Sequence, residues 1–299
     1  MPATLNTKTT SANIYVHIEL FIVVAIWAGT FVSTKIVLAE ITPALSALYR
    51  YIVASVILLV LDYHNQERLQ RADYPLIVFL SATGVTLYYL LQHYGMQYTN
   101  ATDAAILISL SPVFIAIISW GLLGEKLSSV NMLGLSLAFG GSLLLITDGN
   151  VSLSLHNERL WGNCLILLTA VAWALYSVYG KKLLQSYSAL TIIKYTTVIG
   201  TIMLLPFSLS EIILKPSCGL SWWGIANLLY LGGPASVYGY LAWYRGLSRL
   251  PAVTVGSYLY FRPLLTGIIA AVVLHEQING YVMLGGLLIL AGTYLTTKS

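Results

Sequence analysis

Ten apolar runs, each close to bilayer-crossing length, follow one another along the 299 residues with only short polar breaks between them. They fall at 17–38, 44–62, 74–96, 101–123, 130–147, 161–181, 189–209, 222–243, 252–274 and 280–297. An α-helix rises about 1.5 Å per residue, so about 20 residues cross the hydrocarbon core of a bilayer. Backbone N–H and C=O groups in lipid must be paired within the chain, which makes such runs helices. Charge scarcity points the same way. Only 9% of the residues are charged and 58% are apolar, whereas a soluble domain carries about 25% charged residues. The expected fold class is an all-α polytopic membrane protein of ten transmembrane helices, with the lipid bilayer as its principal partner.

The basic residues orient the chain. One set of connecting segments and termini holds nine of them: Lys8, Arg68, Arg71, Lys126, Lys181, Lys182, Arg245, Arg249 and Lys298. The opposite set holds three: Lys35, Arg159 and Lys215. Short cytoplasmic loops are enriched in Lys and Arg, so both termini are expected in the cytoplasm. The net charge of +4 is scattered rather than clustered, which argues against a nucleic-acid partner. Cys164 and Cys218 have no metal-ligand or CxxC spacing, and the polar stretch before residue 17 lacks a cleavage site, so the first run reads as a retained helix.

The two halves repeat each other. Pro112 precedes Glu125 by thirteen residues, as Pro263 precedes Glu276. At the same offset Tyr89 matches Tyr240, Gly95 matches Gly246, Gly134 matches Gly285 and Gly141 matches Gly292. At a slightly smaller offset Trp27 with Lys35 matches Trp173 with Lys181, and Arg50 matches Lys194. The expected division is a cytoplasmic tail at 1–16, a five-helix repeat at 17–149 and a second at 150–299. Five is odd, so the second repeat would enter the membrane inverted. That plan suits alternating access, in which two similar halves exchange conformations around a central site.

The order of short motifs resembles the EamA family of the drug/metabolite transporter superfamily. The marks are Trp27-Ala28-Gly29-Thr30-Phe31 with Lys35, Leu48-Tyr49-Arg50-Tyr51, Gly95-Met96-Gln97-Tyr98-Thr99 and Ser111-Pro112-Val113-Phe114 leading to Leu123-Gly124-Glu125-Lys126. Tyr238-Gly239-Tyr240 and the stretch from Pro263 to Glu276 repeat the theme. The second half departs in three places: Trp173-Ala174-Leu175-Tyr176 lacks the Gly and Phe, His275 stands for Gly124, and Arg262 stands for Ser111. The resemblance implies a ten-helix secondary transporter that moves a small metabolite, such as an amino acid, across the cytoplasmic membrane of a bacterium, with export favoured. It implies no cofactor.

Arg262 lies about ten residues into its run, roughly 15 Å deep. A charge there costs at least about 2.5 kcal/mol, so it should face the protein interior or a wet cavity. Beside Pro263, where the helix loses a backbone bond, a guanidinium can grip a substrate carboxylate with two hydrogen bonds. The competing reading is a structural ion pair. Aromatic residues inside spans are candidate walls for a solute cavity: Trp27, Tyr88, Tyr89, Trp173, Tyr176, Tyr258 and Tyr260, with Ser109 adding a hydroxyl. Ordinary packing serves them equally well. Pro112 and Pro263 are candidate hinges or static bends. Asp103 either complements a helix N-terminus or couples protons, and His93 is the other protonatable candidate. Lys194 is expected to snorkel to the interface, and Glu125 and Glu276 to act as caps or loop contacts. The glycines of the fifth and tenth runs permit close helix approach, within one chain or in a homodimer.

Other classes fit less well. No P-loop is present, so this chain supplies no ATP hydrolysis. An intramembrane enzyme would need paired acids, HExxH or a nucleophile with its base, and apart from Asp62 at the very end of the second run the runs contain only Glu19 and Asp103 as acids. An uncoupled facilitator or a membrane signalling protein remain as alternatives, the latter leaving the repeat without a purpose.

Overall fold

The computed structural model describes residues 7–64, 67–123, 128–147, 158–214, 219–250 and 252–297. Glu125, Lys126, Lys215 and Cys218 lie outside the described residues, as does the side chain of Tyr260. The described residues form ten helical segments and no strand, and each expected run overlaps one of them. They are α1 (Thr7–Leu38), α2 (Pro43–Leu61), α3 (Arg71–Tyr98), α4 (Ala101–Ile108 continued by Ser111–Leu123) and α5 (Ser129–Thr147). Then come α6 (Glu158–Leu183), α7 (Ala189–Leu214), α8 (Trp222–Tyr230 through Gly239–Arg249), α9 (Ala252–Ser257 through Phe261–Val273) and α10 (Gly280–Thr297). The first helix starts ten residues before its apolar run. Helix propagation from an established apolar segment is cheap, so the Thr/Ser-rich stretch simply extends it.

Among the described residues six segments are long and apolar enough to cross a membrane: Tyr15–Leu38, Pro43–Leu61, Arg71–Tyr98, Ala101–Gly121, Glu158–Leu183 and Ala189–Leu214. Large apolar side chains such as Ile22, Val56, Leu59, Ile202, Ile213, Ile268 and Leu287 point outward. No water-soluble surface tolerates so many, and an integral membrane protein needs them.

Four helices are irregular, and the irregularities come in pairs. Helix α3 widens to π-helix over Ala82–Thr86, and α8 does so over Leu231–Tyr238, around Pro234. Helix α4 breaks at Ser109 and Leu110, and α9 tightens to a 3-10 turn over Tyr258–Tyr260. The prolines do not sit in mid-helix, as the unbroken runs had implied. Pro112 and Pro263 fall in the first turn of the second stretch of α4 and α9, where the missing N–H had no helical partner to lose.

Helices α5 and α10 cross at their glycines. A β-carbon on Gly141 would lie 2.7 Å from the Gly285 carbonyl oxygen, and one on Gly292 2.5 Å from that of Gly134. Those distances demand glycine, and the contact they serve is within the chain. The apolar core has a larger part around Leu20, Leu45, Tyr51, Leu80, Tyr176 and Trp243, and a second around Phe31, Met96, Leu107, Val113 and Ile289.

Candidate functional site

The π-helical stretch of α8 leaves carbonyls free of the regular ladder, and the centre of the molecule is built on them. The Trp27 indole of α1 donates to the Ala235 carbonyl at 2.9 Å. Ser236 donates its hydroxyl to Leu231, five residues back, at 2.8 Å and accepts Nε of Arg50 at 2.8 Å. In α3 the π turn offers the Gly84 carbonyl, which takes the Tyr240 hydroxyl at 3.1 Å. Tyr240 in turn lies 3.2 Å from the hydroxyls of Tyr51 and Tyr89. The Arg50 guanidinium stacks 4.3 Å above the centre of the Tyr89 ring, a contact that strengthens out of water. Trp27 meets Trp173 edge to face with centroids 5.4 Å apart.

These groups border a small cavity of about 10 Å³, lined by Trp27, Thr30, Arg50, Tyr88, Tyr89, Gln92, Trp173, Tyr240 and Arg262. That is room for about one water, so a solute needs the helices to part. Arg262 is 5% exposed and lies over the Phe31 ring, 5.1 Å from its centre, with Nε and Nη2 lacking any hydrogen-bond partner. A buried donor without a partner costs about 1–3 kcal/mol, more when charged.

The structure therefore brings together Arg262, Trp27, Trp173, Tyr88 and Tyr89. Other expected members stand elsewhere. Tyr176 packs behind the cavity, against Trp173, Tyr240 and Tyr244. Tyr258 is half-buried with its hydroxyl 2.5 Å from Nδ1 of His17. Ser109 returns its hydroxyl to the Ile106 carbonyl at 2.5 Å, within the break of α4. His93 is fully buried one turn from Tyr89. Its Nδ1 donates to the Pro43 carbonyl at 3.2 Å, and Nε2 has no partner. Thr30, Arg50, Tyr240 and Gln92 belong to the cavity without having been nominated. Arg50 carried the same signal as Arg262, a charge inside an apolar run, and the sequence left its role undecided.

Several other charges are engaged within the chain. Asp103 lies in the first turn of α4, without a cap hydrogen bond of its own; it pairs with Arg159 at 2.9 Å and accepts from Thr99 at 3.4 Å. Glu276 caps α4 instead, its carboxylate accepting the amides of Ala101 and Thr102 at 2.8 and 3.1 Å. The turn that presents it runs through His275 at φ 54° and closes with the Glu276 amide on the Ala270 carbonyl at 3.4 Å. Glu211 likewise takes the amides of Ala44 and Leu45 at 2.9 and 3.1 Å, and the Tyr94 hydroxyl. Lys194 pairs with Asp62 rather than reaching freely for the interface, and Glu19 pairs with Arg245. Among the described residues no cluster of His, Cys, Asp and Glu is arranged to hold a metal.

Residues 15–147 match the EamA-like transporter family, and residues 160–298 match it again. An uncharacterized transporter of Archaeoglobus fulgidus is 33% identical over 98% of both chains. A Streptantibioticus cattleyicolor protein named "Probable terminal-alkyne amino-acid exporter" is 28% identical, over 93% of this chain and 92% of its own. A crystal structure aligns with a TM-score of 0.69 over 94% of this chain and 97% of the other, at 17% identity, a likeness of fold alone.

Proposed function

Because this chain belongs to the EamA-like transporter family, we propose that it is a secondary transporter that carries a small metabolite with an anionic group through a central site. An amino acid or a related compound is the favoured cargo, and export across the cytoplasmic membrane the favoured direction. The observation that carries this reading is Arg262, a buried guanidinium with unpartnered nitrogens on a small cavity at the crossing of six helices. The exporter named above for amino-acid cargo lends the substrate class further support.

In this reading the ten helices are two five-helix repeats of inverted orientation, with both termini cytoplasmic. The paired irregularities of α3 with α8 and α4 with α9 support it, as do contacts between repeat mates such as Tyr89 with Tyr240 and Trp27 with Trp173. Pro112 and Pro263 mark the hinges at which α4 and α9 bend when the halves exchange. The bonds of Asp103 and Glu276 close the extracellular end. His93 is the proton-coupling candidate, because Asp103 is engaged by Arg159. The site needs only cargo and lipid.

Purified protein in liposomes tests the reading. Wild-type vesicles accumulate or release a labelled amino acid, and Arg262→Ala abolishes the flux while remaining monodisperse. Undiminished flux in that variant removes Arg262 from the site. Imposing a pH gradient without an ion gradient then asks about coupling: accumulation supports a proton role, and no response makes the protein a facilitator.

A further inference from the structure

We infer that the cargo carries two negative charges at once, one held by Arg50 and the other by Arg262. This inference rests on the transport reading above, keeps its anionic cargo and departs from its favoured amino acid in asking for a dianion. Both guanidiniums line the same small cavity, and they are 2% and 5% exposed. Neither has a carboxylate within ion-pair distance among the described residues, whereas the buried acids are engaged elsewhere: Asp103 by Arg159, Asp62 by Lys194, and Glu211 by the amides that open α2. The cavity wall itself contains no acid. A charge buried without its partner is far costlier than a buried pair, and two of the same sign in one cavity repel as well.

A monoanion leaves one of these charges uncompensated, and a zwitterion leaves both. A zwitterion also brings an ammonium, for which the wall offers no carboxylate, only neutral acceptors such as Gln92 and Thr30 and ring faces. Trp27 and Trp173 turn into each other, and Arg50 already covers Tyr89. A dianion leaves the occupied site neutral. The two arginines differ in readiness: Ser236 fixes Nε of Arg50, while Arg262 keeps Nε and Nη2 open. Arg50 is thus the pre-set anchor and Arg262 the group that closes on the second charge. Dicarboxylates and phosphomonoesters share this chemistry.

The test is binding to the full-length protein in neutral detergent, read as the shift of the thermal unfolding midpoint with ligand concentration. The probes are propionate, succinate, glutarate, L-glutamate, L-alanine and glycerol phosphate. A dianion is expected to bind at least about tenfold more tightly than propionate, since a second charged hydrogen-bonded contact is worth that much. Whether a dicarboxylate or the phosphate ester binds best names the source, and either supports the two-charge site. Arg50→Gln and Arg262→Gln are each expected to bring dianion affinity down to the propionate level, while Arg50→Lys keeps a weakened preference. Equal binding of mono- and dianions, tighter binding of L-alanine, or no binding by any probe overturns the inference. Should Arg262→Gln abolish all anion binding while Arg50→Gln leaves it intact, the two-charge inference falls and Arg262 as the carboxylate site stands. If neither variant alters any affinity, both fall.

Discussion

At the end of the molecule where α4 begins, Asp103 lies 2.9 Å from Arg159, and Glu276 takes up two backbone amides of the opening turn. At the centre, Arg50 and Arg262 are as deeply buried but face no carboxylate among the described residues. The side chains are of similar kind, yet their surroundings are opposite. Charges at the end are matched by groups of the chain and hold helices together. Charges at the centre have no carboxylate of their own among the described residues.

The sharpest way to break that comparison is to remove one charge from each region and measure stability. Asp103→Asn removes the carboxylate paired with Arg159, which is partly exposed and can recover some hydration, so unfolding should become easier by about 2 kcal/mol. Arg262→Met removes an uncompensated buried charge and should raise stability by about 1 kcal/mol while flux is lost. Loss of stability of equal size in both variants, followed as unfolding midpoints in detergent, would collapse the distinction. Glu276→Gln keeps an acceptor but removes the charge at the α4 N-terminus, for an expected loss of about 1 kcal/mol.

The smallest effect lies in the loop before α3. Burial pushes the Glu67 carboxyl up, but the hydroxyl and amide of Ser188 at the start of α7 more than offset this and hold it below its usual range. A carboxylate with a lowered folded-state pKa contributes stability above its unfolded value, near 4.3, and loses it as pH falls through the folded one. Wild type should therefore exceed Glu67→Gln by about 0.3 kcal/mol at neutral pH, and the gap should close in acid.

Much of the site was legible because it obeys membrane physics residue by residue. Arg262 was conspicuous as a charge within an apolar run, and Trp27 and Trp173 as aromatic residues at matching places. They meet at 5.4 Å. Arg50 gave the same signal and matched Lys194, and the sequence did not decide its role. The structure separates the two: Lys194 has Asp62, and Arg50 has Ser236 and tyrosine rings. Tyr258 was nominated as an aromatic residue inside a span, yet at the 3-10 turn over Tyr258–Tyr260 its hydroxyl meets His17.

The number and position of the apolar runs, the helical class and the family resemblance follow from the sequence by itself, because lipid imposes length, composition and internal backbone pairing on every span. Which charges are paired, where α4 and α9 restart, and where α3 and α8 open into π-helix were decided by the tertiary structure. Asp103 and Arg159 stand 56 positions apart, and Arg50 and Ser236 186. No local pattern reports whether such residues meet. The ten runs announce a membrane protein; only their packing leaves Arg50 and Arg262 without an acid at its centre.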